Sequence, residues 1–529
     1  MKKLALLLAL IMVTASIPGL SLAFNETGLP IVDEPATFSM MIDDNNEPDT
    51  VGFYDELERQ TNIHVDLQLA PYQAQLERLG IALNSGDYAD VIAGWLLGTK
   101  DLIDLGMGDQ TFLPLEGLIE KYAPNIQEVL EIPGVRASMT LPDGHIYSIP
   151  YVVGEPEVTY KPYINQVWLE NLGLEMPTTP EELKNVLIAF RDQDANGNGD
   201  PNDEIPFSGD PNNLSMGTLV GWWGVDANSG ANTNYPFYAL VDGKIEFSAN
   251  KPEFKTAMEY FADLYAEKLI DEEIFTQDLD TWKSKGKQDL YGVCFAYGPG
   301  DYFDNFEKNT PEYEKYGENA FTGLPVLKGC DKPVYYRNSY GVTLFRTQAV
   351  ITDKCDEEKA AIIIRWFDNL YTADNSQQSQ SGPIGICIEK LGEGLYRELS
   401  QDDWTDEKKQ AYDWGNRFTQ SLCRYYHDNV LLGVGKEEPE KSFMDLMDEL
   451  YAPYLDEHFP AVWSTNEDDL AKASTLSTDI NTYIKGKIAQ WISGEADINA
   501  EWDAYCEQLN AYGLEELTEI HRRALGEIE

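Results

Sequence analysis

The chain is 529 residues long and carries 91 aspartates and glutamates against 39 lysines and arginines, a formal charge of -52. Nucleic acid is excluded as a partner because no basic stripe is available to neutralise phosphates, and other polyanions and anionic membranes are disfavoured by the same field. With 43% hydrophobic and 12% aromatic residues the chain is globular rather than an acidic disordered polymer, and at about 100 to 200 residues per domain its length accommodates several lobes.

Lys2 and Lys3 precede an apolar run from Leu4 to Val13, Pro18 and Gly19 end it, and Ser21-Leu22-Ala23 sets small residues where a signal peptidase cuts. A spanning helix needs about 20 apolar residues, and Thr14, Ser16 and Pro18 interrupt this run too early. Residues 1–23 therefore read as a signal peptide and the protein as exported, extracellular or in the cell envelope. Phe24 stands where a lipid-anchored bacterial protein needs a cysteine, so no lipobox anchor is expected. The six cysteines, Cys294, Cys330, Cys355, Cys387, Cys423 and Cys506, include no Cys-x-x-Cys pair. Free thiols fit better than a disulfide framework.

Along the mature chain, Ile63, Val65, Leu67 and Leu69 alternate as a half-buried strand does, and Leu76, Leu79 and Leu83 then recur at helical spacing until Ser85-Gly86-Asp87. Asp90 to Ala93 begins another strand. Thr179 as N-cap, Pro180 at the first position and Glu182 as capping-box partner announce a helix with Leu183, Val186, Leu187 and Phe190 on one face. Phe254, Ala257, Met258, Phe261, Leu264 and Tyr265 mark a third helix from about Pro252, and Ala360, Ile363, Ile364 and Phe367 a fourth. The polar stretch Thr372 to Ser381, rich in glutamine, reads as an exposed loop. Strands alternating with helices predict an α/β fold with largely parallel sheets, and the length suggests two such units.

The densest chemical signal is Asp192-Gln193-Asp194-Ala195-Asn196-Gly197-Asn198-Gly199-Asp200-Pro201-Asn202-Asp203-Glu204. Calcium takes about six to eight oxygens at about 2.3–2.6 Å and must be wrapped by a sharply bent chain, which alternating Asp and Asn around glycine provide. Two registers fit. One starts at Asp192 and runs through Asp194, Asn196, the Asn198 carbonyl and Asp200 to Asp203; the other starts at Asp194 and runs through Asn196, Asn198 and the Asp200 carbonyl to Asp203 and Glu204. One site at a helix end implies a structural ion.

An ordered series of segments resembles the solute-binding proteins of carbohydrate ABC importers, in particular the large calcium-containing alginate- and oligosaccharide-binding group. It comprises Leu83-Asn84-Ser85-Gly86-Asp87-Tyr88-Ala89-Asp90-Val91, Tyr122-Ala123-Pro124-Asn125, Asp143 to Pro150, Ile164 to Leu169, Leu172-Gly173-Leu174, Pro177-Thr178-Thr179, the loop ending Asp203-Glu204-Ile205-Pro206, and Trp502-Asp503-Ala504-Tyr505 with Leu509 and Gly513-Leu514. The resemblance implies a two-lobed, type 2 periplasmic-binding-protein-like α/β fold, with a mainly parallel sheet in each lobe and a helix-rich C-terminal extension. It divides the mature chain into a first lobe (24–155 and 336–392) and a second (156–335, holding the 192–205 loop, and 393–529). It favours the second calcium register, with Asp194, Asn196, Asn198, Asp200, Asp203 and Glu204 as ligands. It also implies a monomer that binds an oligosaccharide and serves a membrane permease. Ala89 replaces the family's usual proline, and the Asp200-Pro201-Asn202 turn is one residue longer than the commonest form.

A glycan cleft needs aromatic platforms rimmed by amides and carboxylates. The candidates are Trp95 from the first lobe, Trp222 and Trp223 between Gly221 and Gly224, Trp282, Tyr297, and Arg337, Asn338 and Tyr340 where the chain recrosses between lobes. Core packing is the competing role for every aromatic among them. The rival function is a secreted glycan-cleaving enzyme with paired carboxylates. Among 91 acids some pair always occurs, while the five histidines form no metal pair and no nucleophile motif is present, so binding without catalysis is the expectation.

Overall fold

The computed structural model describes residues 24–43, 52–132, 135–153, 158, 160–210, 216–225, 237–304, 306, 310–317, 319–336, 343–412, 422, 425, 429–439, 441, 443–455 and 466–527. The signal segment, Cys423, Arg337, Asn338 and Tyr340 lie outside them.

The first lobe starts from β1 (Ala36–Asp43), which pairs in parallel with β2 (Ile63–Ala70) from Ala36↔Ile63 to Asp43↔Ala70 and, on its other side, with β3 (Val91–Ala93). β4 (Ile149–Val153) leads out of this lobe. β5 (Lys161–Asn165), β6 (Ile205–Gly209), the hairpin of β7 (Tyr238–Val241) and β8 (Lys244–Phe247), β9 (Tyr291–Ala296) and β10 (Phe321–Gly323) follow in the second lobe, and β11 (Thr343–Ile351) returns to the first. The two principal sheets run β2-β1-β3-β11-β4 and β10-β5-β9-β6.

Both sheets are mixed, where a largely parallel pattern was expected. β11 lies antiparallel to β3 and β4, and β5 antiparallel to β9 and β10, whereas β6 and β9 are parallel. The reason is connectivity. Strands looped back within a lobe share one direction, but β5 and β11 enter from the other lobe and so start at the edge where their neighbours end.

Helices begin and end where the capping chemistry places them. Tyr72–Ser85 stops at Gly86 with φ +72°, and Pro180–Asp192 starts with the Thr179 hydroxyl accepting from the Glu182 N–H at 3.2 Å. The Glu182 carboxylate, however, accepts from the N–H and hydroxyl of Thr178, one residue before the capping-box position. Pro252–Ala266 and Glu357–Leu370 bury the faces their periodicity marked.

The stretch expected as an exposed loop is instead the helix Ala373–Ser381, which buries Asn375, Ser376, Gln377, Gln378 and Ser379. Buried amides are tolerated only when bonded. Here Asn375 Nδ2 donates to Gln60 Oε1 at 3.0 Å and to the Asn369 carbonyl at 2.8 Å.

β12 (Ile388–Gly392), β13 (Leu395–Glu398) and β14 (Val430–Leu432) form a smaller sheet. This sheet stays with the first lobe rather than leaving it at 393. The Tyr396 hydroxyl donates to Asp374 at 2.6 Å, and Leu422 sits in the first-lobe core. The chain is back in the second lobe by the helix Phe443–Tyr451, whose Tyr451 hydroxyl donates to the Leu324 carbonyl.

The C-terminal helices Glu467–Ser493, Ile498–Ala511 and Leu514–Ala524 cover the second lobe with Ile484, Ile488, Trp491, Tyr505 and Leu517. The first turn of the longest also sends Leu470 into a first-lobe cluster with Met41 and Leu79. Cys294, Cys355 and Cys387 are buried free thiols, and Cys330 and Cys506 are partly buried and free.

His521 lies buried edge-on against the Tyr238 ring, 4.9 Å between centroids. Burial pushes its imidazole from 6.5 down to about 3. The unfolded chain takes up this proton first, so the stability tied to neutral His521 is whole above pH 6.5 and falls as pH drops towards 3. Relative to His521→Leu, the protein should lose about 2 kcal/mol between neutrality and about pH 5, measured by chemical denaturation at both pH values.

Candidate functional site

In an open sheet of parallel strands, ligands sit beyond the carboxyl ends where the strand order reverses. In the first lobe that point lies between β1 and β3. β1 ends in Asp43, and β3 runs into Gly94 and Trp95. The Trp95 N–H donates to Asp43 Oδ1 at 2.7 Å, and the Gly94 N–H to the Gln348 carbonyl at 2.8 Å. Gly94 has φ +87°, and a Cβ there would collide with Asp43 Oδ1. Only glycine lets the turn carry Trp95 past the carboxylate. Asp43 is 7% exposed and Trp95 39%, with the indole edge-on to Tyr151 of β4 at 6.4 Å.

The second lobe repeats the arrangement. β6 runs into Asp210, whose N–H donates to the Phe295 carbonyl at 2.9 Å, and β9 into Tyr297, 36% exposed. The Tyr297 ring stands edge-on to Tyr160 at 6.0 Å, and the Tyr163 hydroxyl donates to its carbonyl at 2.7 Å. Tyr151 and Tyr160 flank the first crossing between lobes, so this connection joins the two aromatic pairs.

Of the marked aromatics among the described residues, Trp95 and Tyr297 are therefore the ones partly exposed to solvent at the strand ends. Trp222 is fully buried, 6.1 Å from Phe261, and Trp223 is partly buried against Tyr260 and Phe261. Their flanking glycines do not open a loop. Gly221 admits the Val334 backbone, whose N–H donates to the Gly221 carbonyl at 2.9 Å and whose carbonyl a Cβ would strike. Trp282 is also fully buried, against Tyr291 and Tyr302. Asp43, Tyr151, Tyr160 and Asp210 went unmarked; strand ends are their only signal, and the many acids hide the two aspartates.

The oxygen-rich loop joins the helix Pro180–Asp192 to β6. Gly197 and Gly199 take φ of +75° and +96°. Asp194 Oδ2 accepts from the Gly199 N–H at 3.0 Å, Asn196 Oδ1 from Asn198, Asn198 Oδ1 from Asp200, and Glu204 Oε1 from Ala195 at 2.8 Å. Asp203 receives the Asn198 amide at 2.7 Å, while the Asp200 carboxylate turns back to Asn202. Asp192 lies outside the turn, paired with Arg191 at 2.7 Å. Two carboxylate oxygens, Asp194 Oδ1 and Glu204 Oε2, are buried without a hydrogen-bond donor. Burial, with the Asp203 charge nearby, raises the Glu204 carboxyl above its ordinary value. Among the described residues no three His, Cys, Asp or Glu side chains come together as a group that could hold a metal ion; the loop's oxygens come from amides and main chain as well.

Residues 34–337 match the family of bacterial extracellular solute-binding proteins. The chain belongs to that family. It is 30% identical over 490 residues, 88% of its own length and 85% of the relative's, to the fructooligosaccharide ABC transporter substrate-binding protein FusA of Streptococcus pneumoniae serotype 4. An EF-hand mutant of S. pneumoniae FusA, solved in complex with fructo-nystose, superposes with a TM-score of 0.76 at 27% identity over 93% of this chain and 99% of that one. The alginate-binding protein AlgQ2, solved without calcium, shares the fold, with a TM-score of 0.70 at 21% identity over 94% and 100% of the two chains. The two-lobed α/β architecture with its helical C-terminal extension is thus this family's. Among the described residues no helix is long and apolar enough to cross a membrane.

Gly94→Ala drives a methyl group into Asp43 at a left-handed backbone position. It is expected to destabilise the protein by about 1–3 kcal/mol and to shift Trp95 emission, read by denaturant unfolding and by fluorescence of the native state.

Proposed function

We propose that this protein captures a neutral oligosaccharide between its lobes and hands it, chemically unchanged, to the membrane permease of an ABC-type sugar importer. One observation carries the reading. At the carboxyl ends of its strands each lobe carries an exposed aromatic ring, Trp95 or Tyr297, and a nearly buried carboxylate, Asp43 or Asp210. Rings stack on the apolar faces of pyranose or furanose units, and carboxylates accept from hydroxyls. A net charge of -52 opposes uronates. The fructooligosaccharides named for FusA are neutral, which supports the choice.

Ligand touching both lobes favours their approach by its differential affinity for the closed state, and the crossings between lobes absorb the rotation. The protein works as an exported monomer, cut after Ala23 and lacking a lipobox cysteine. Replacing the indole by Trp95→Ala removes stacking worth about 0.5–1.5 kcal/mol beyond its area burial, so affinity for a neutral fructooligosaccharide should fall at least about tenfold by titration calorimetry. Unchanged affinity would place the sugar elsewhere, and cleavage of the saccharide by pure protein would select the enzyme reading.

The loop residues fit a calcium ion in the register that begins at Asp194. Asp194, Asn196, Asn198, Asp203 and Glu204 would hold it with side-chain oxygens and Asp200 with its carbonyl. The donorless oxygens of Asp194 and Glu204 are the groups that need a cation. Bound there, calcium neutralises adjacent carboxylates and fixes the turn. Ion at 100 times its dissociation constant adds about 2.7 kcal/mol of stability. Chelation should accordingly lower the calorimetric melting temperature, and Asp194→Ala should remove that sensitivity.

A further inference from the structure

Beside the buried polar helix Ala373–Ser381 lies an open surface pocket of about 560 Å³, a size suited to small molecules, whose sites span about 300–1,000 Å³. Its walls belong wholly to the first lobe. It shares no residue with the crevice: Gln60 stands just before β2 begins, whereas Asp43 and Trp95 stand where β1 and β3 end.

Four side-chain amides, those of Gln60, Asn369, Asn375 and Gln378, line one side of it beside Thr372, Asp374 and Lys390. Asn369 Nδ2 donates to Gln60 Oε1 at 3.0 Å, Gln60 Nε2 to Asn375 Oδ1 at 3.2 Å, and Gln378 Nε2 to the same Asn375 oxygen at 3.1 Å. Asn375 and Gln378 are more than nine-tenths buried, and Asn369 is 9% exposed. The net holds each amide in one orientation, and Asn369 and Gln378 each use one of two amide hydrogens within it. Packing alone would be served by apolar side chains, without the desolvation cost that four amides bring. At the rim Lys390 pairs with Asp374 at 2.6 Å, and Glu393 adds an uncompensated negative charge.

We propose that this amide-walled cavity is a second binding site, for a small neutral polyhydroxylated molecule of mono- or disaccharide size. Hydroxyls are donors and acceptors at once, which matches oriented amides, and they carry no charge for Glu393 to repel. Among the described residues no aromatic ring lines the cavity, so binding is weaker than stacking in the crevice would give. Because one lobe supplies every wall, occupancy needs no lobe closure. Pocket and crevice are therefore separable.

Saturation-transfer NMR on the full mature chain tests this, with sucrose as the probe and galacturonate as the charged control, in a Trp95→Ala background that weakens crevice binding, so that the rim variants below report on the pocket. Sucrose should still receive saturation and galacturonate should not. Adding Glu393→Trp, which fills the mouth from an exposed position, or separately Lys390→Met, which breaks the rim pair, should remove or weaken the sucrose signal while the circular dichroism melt stays that of the Trp95→Ala protein. A sucrose-soaked crystal should show the sugar against Asn369 and Gln378. Absence of saturation in the Trp95→Ala chain, equal saturation of galacturonate, or a sucrose signal indifferent to both rim variants would each overturn the assignment.

Discussion

Parallel pairing of β1 with β2 and β3 is the constraint on which the rest of this molecule depends. Two parallel neighbours cannot be joined by a tight turn, so each return must pass over a face of the sheet and cover it. What remains uncovered is the edge where strands end. Register then decides which side chains stand there, because a slip of one residue would turn Asp43 to the other face. Asp43, Gly94 and Trp95 form a unit for this reason: the carboxylate caps the turn's N–H, and the missing Cβ makes room for it.

The lobes are tied together by more than their crossings. The helix Glu467–Ser493 is 27 residues long, about 40 Å at 1.5 Å per residue. Most of it packs on the second lobe, but Leu470 in its first turn is buried with first-lobe residues. Leu470 therefore ties the C-terminal extension to the first lobe as well as the second.

Much of this could be read before any coordinates. Helix starts at Pro180 and Pro252, the strand from Ile63, the glycine at 86 and the oxygen spacing of the 192–205 loop are local signals, each with a cause within a few residues. The failures were non-local. Gly221 and Gly224 around two tryptophans look like a loop, but the close approach Gly221 serves is of Val334, over a hundred residues on. The mostly polar sequence from Thr372 carries no helical period, and its amides find their partner at Gln60, 315 positions from Asn375. Composition cannot separate a core tryptophan from a cleft tryptophan, since both roles require the same ring. Only its neighbours distinguish Trp222 from Trp95.

The position of the oxygen-rich loop limits what an ion there can do. Glu204 directly precedes β6, and Asn196 Nδ2 reaches the Asp289 carbonyl just before β9, so the loop grips the amino ends of two neighbouring strands. Asp210 and Tyr297 follow the carboxyl ends of the same strands. Five residues of β6 intervene, about 16 Å at 3.3 Å per residue, so one ion cannot touch both the loop and a ligand in the crevice. An ion in the loop would act by holding β6 and β9 in register with the helix Pro180–Asp192, and it would influence ligand only to the extent that the second lobe's sheet must be intact for Asp210 and Tyr297 to stand where they do.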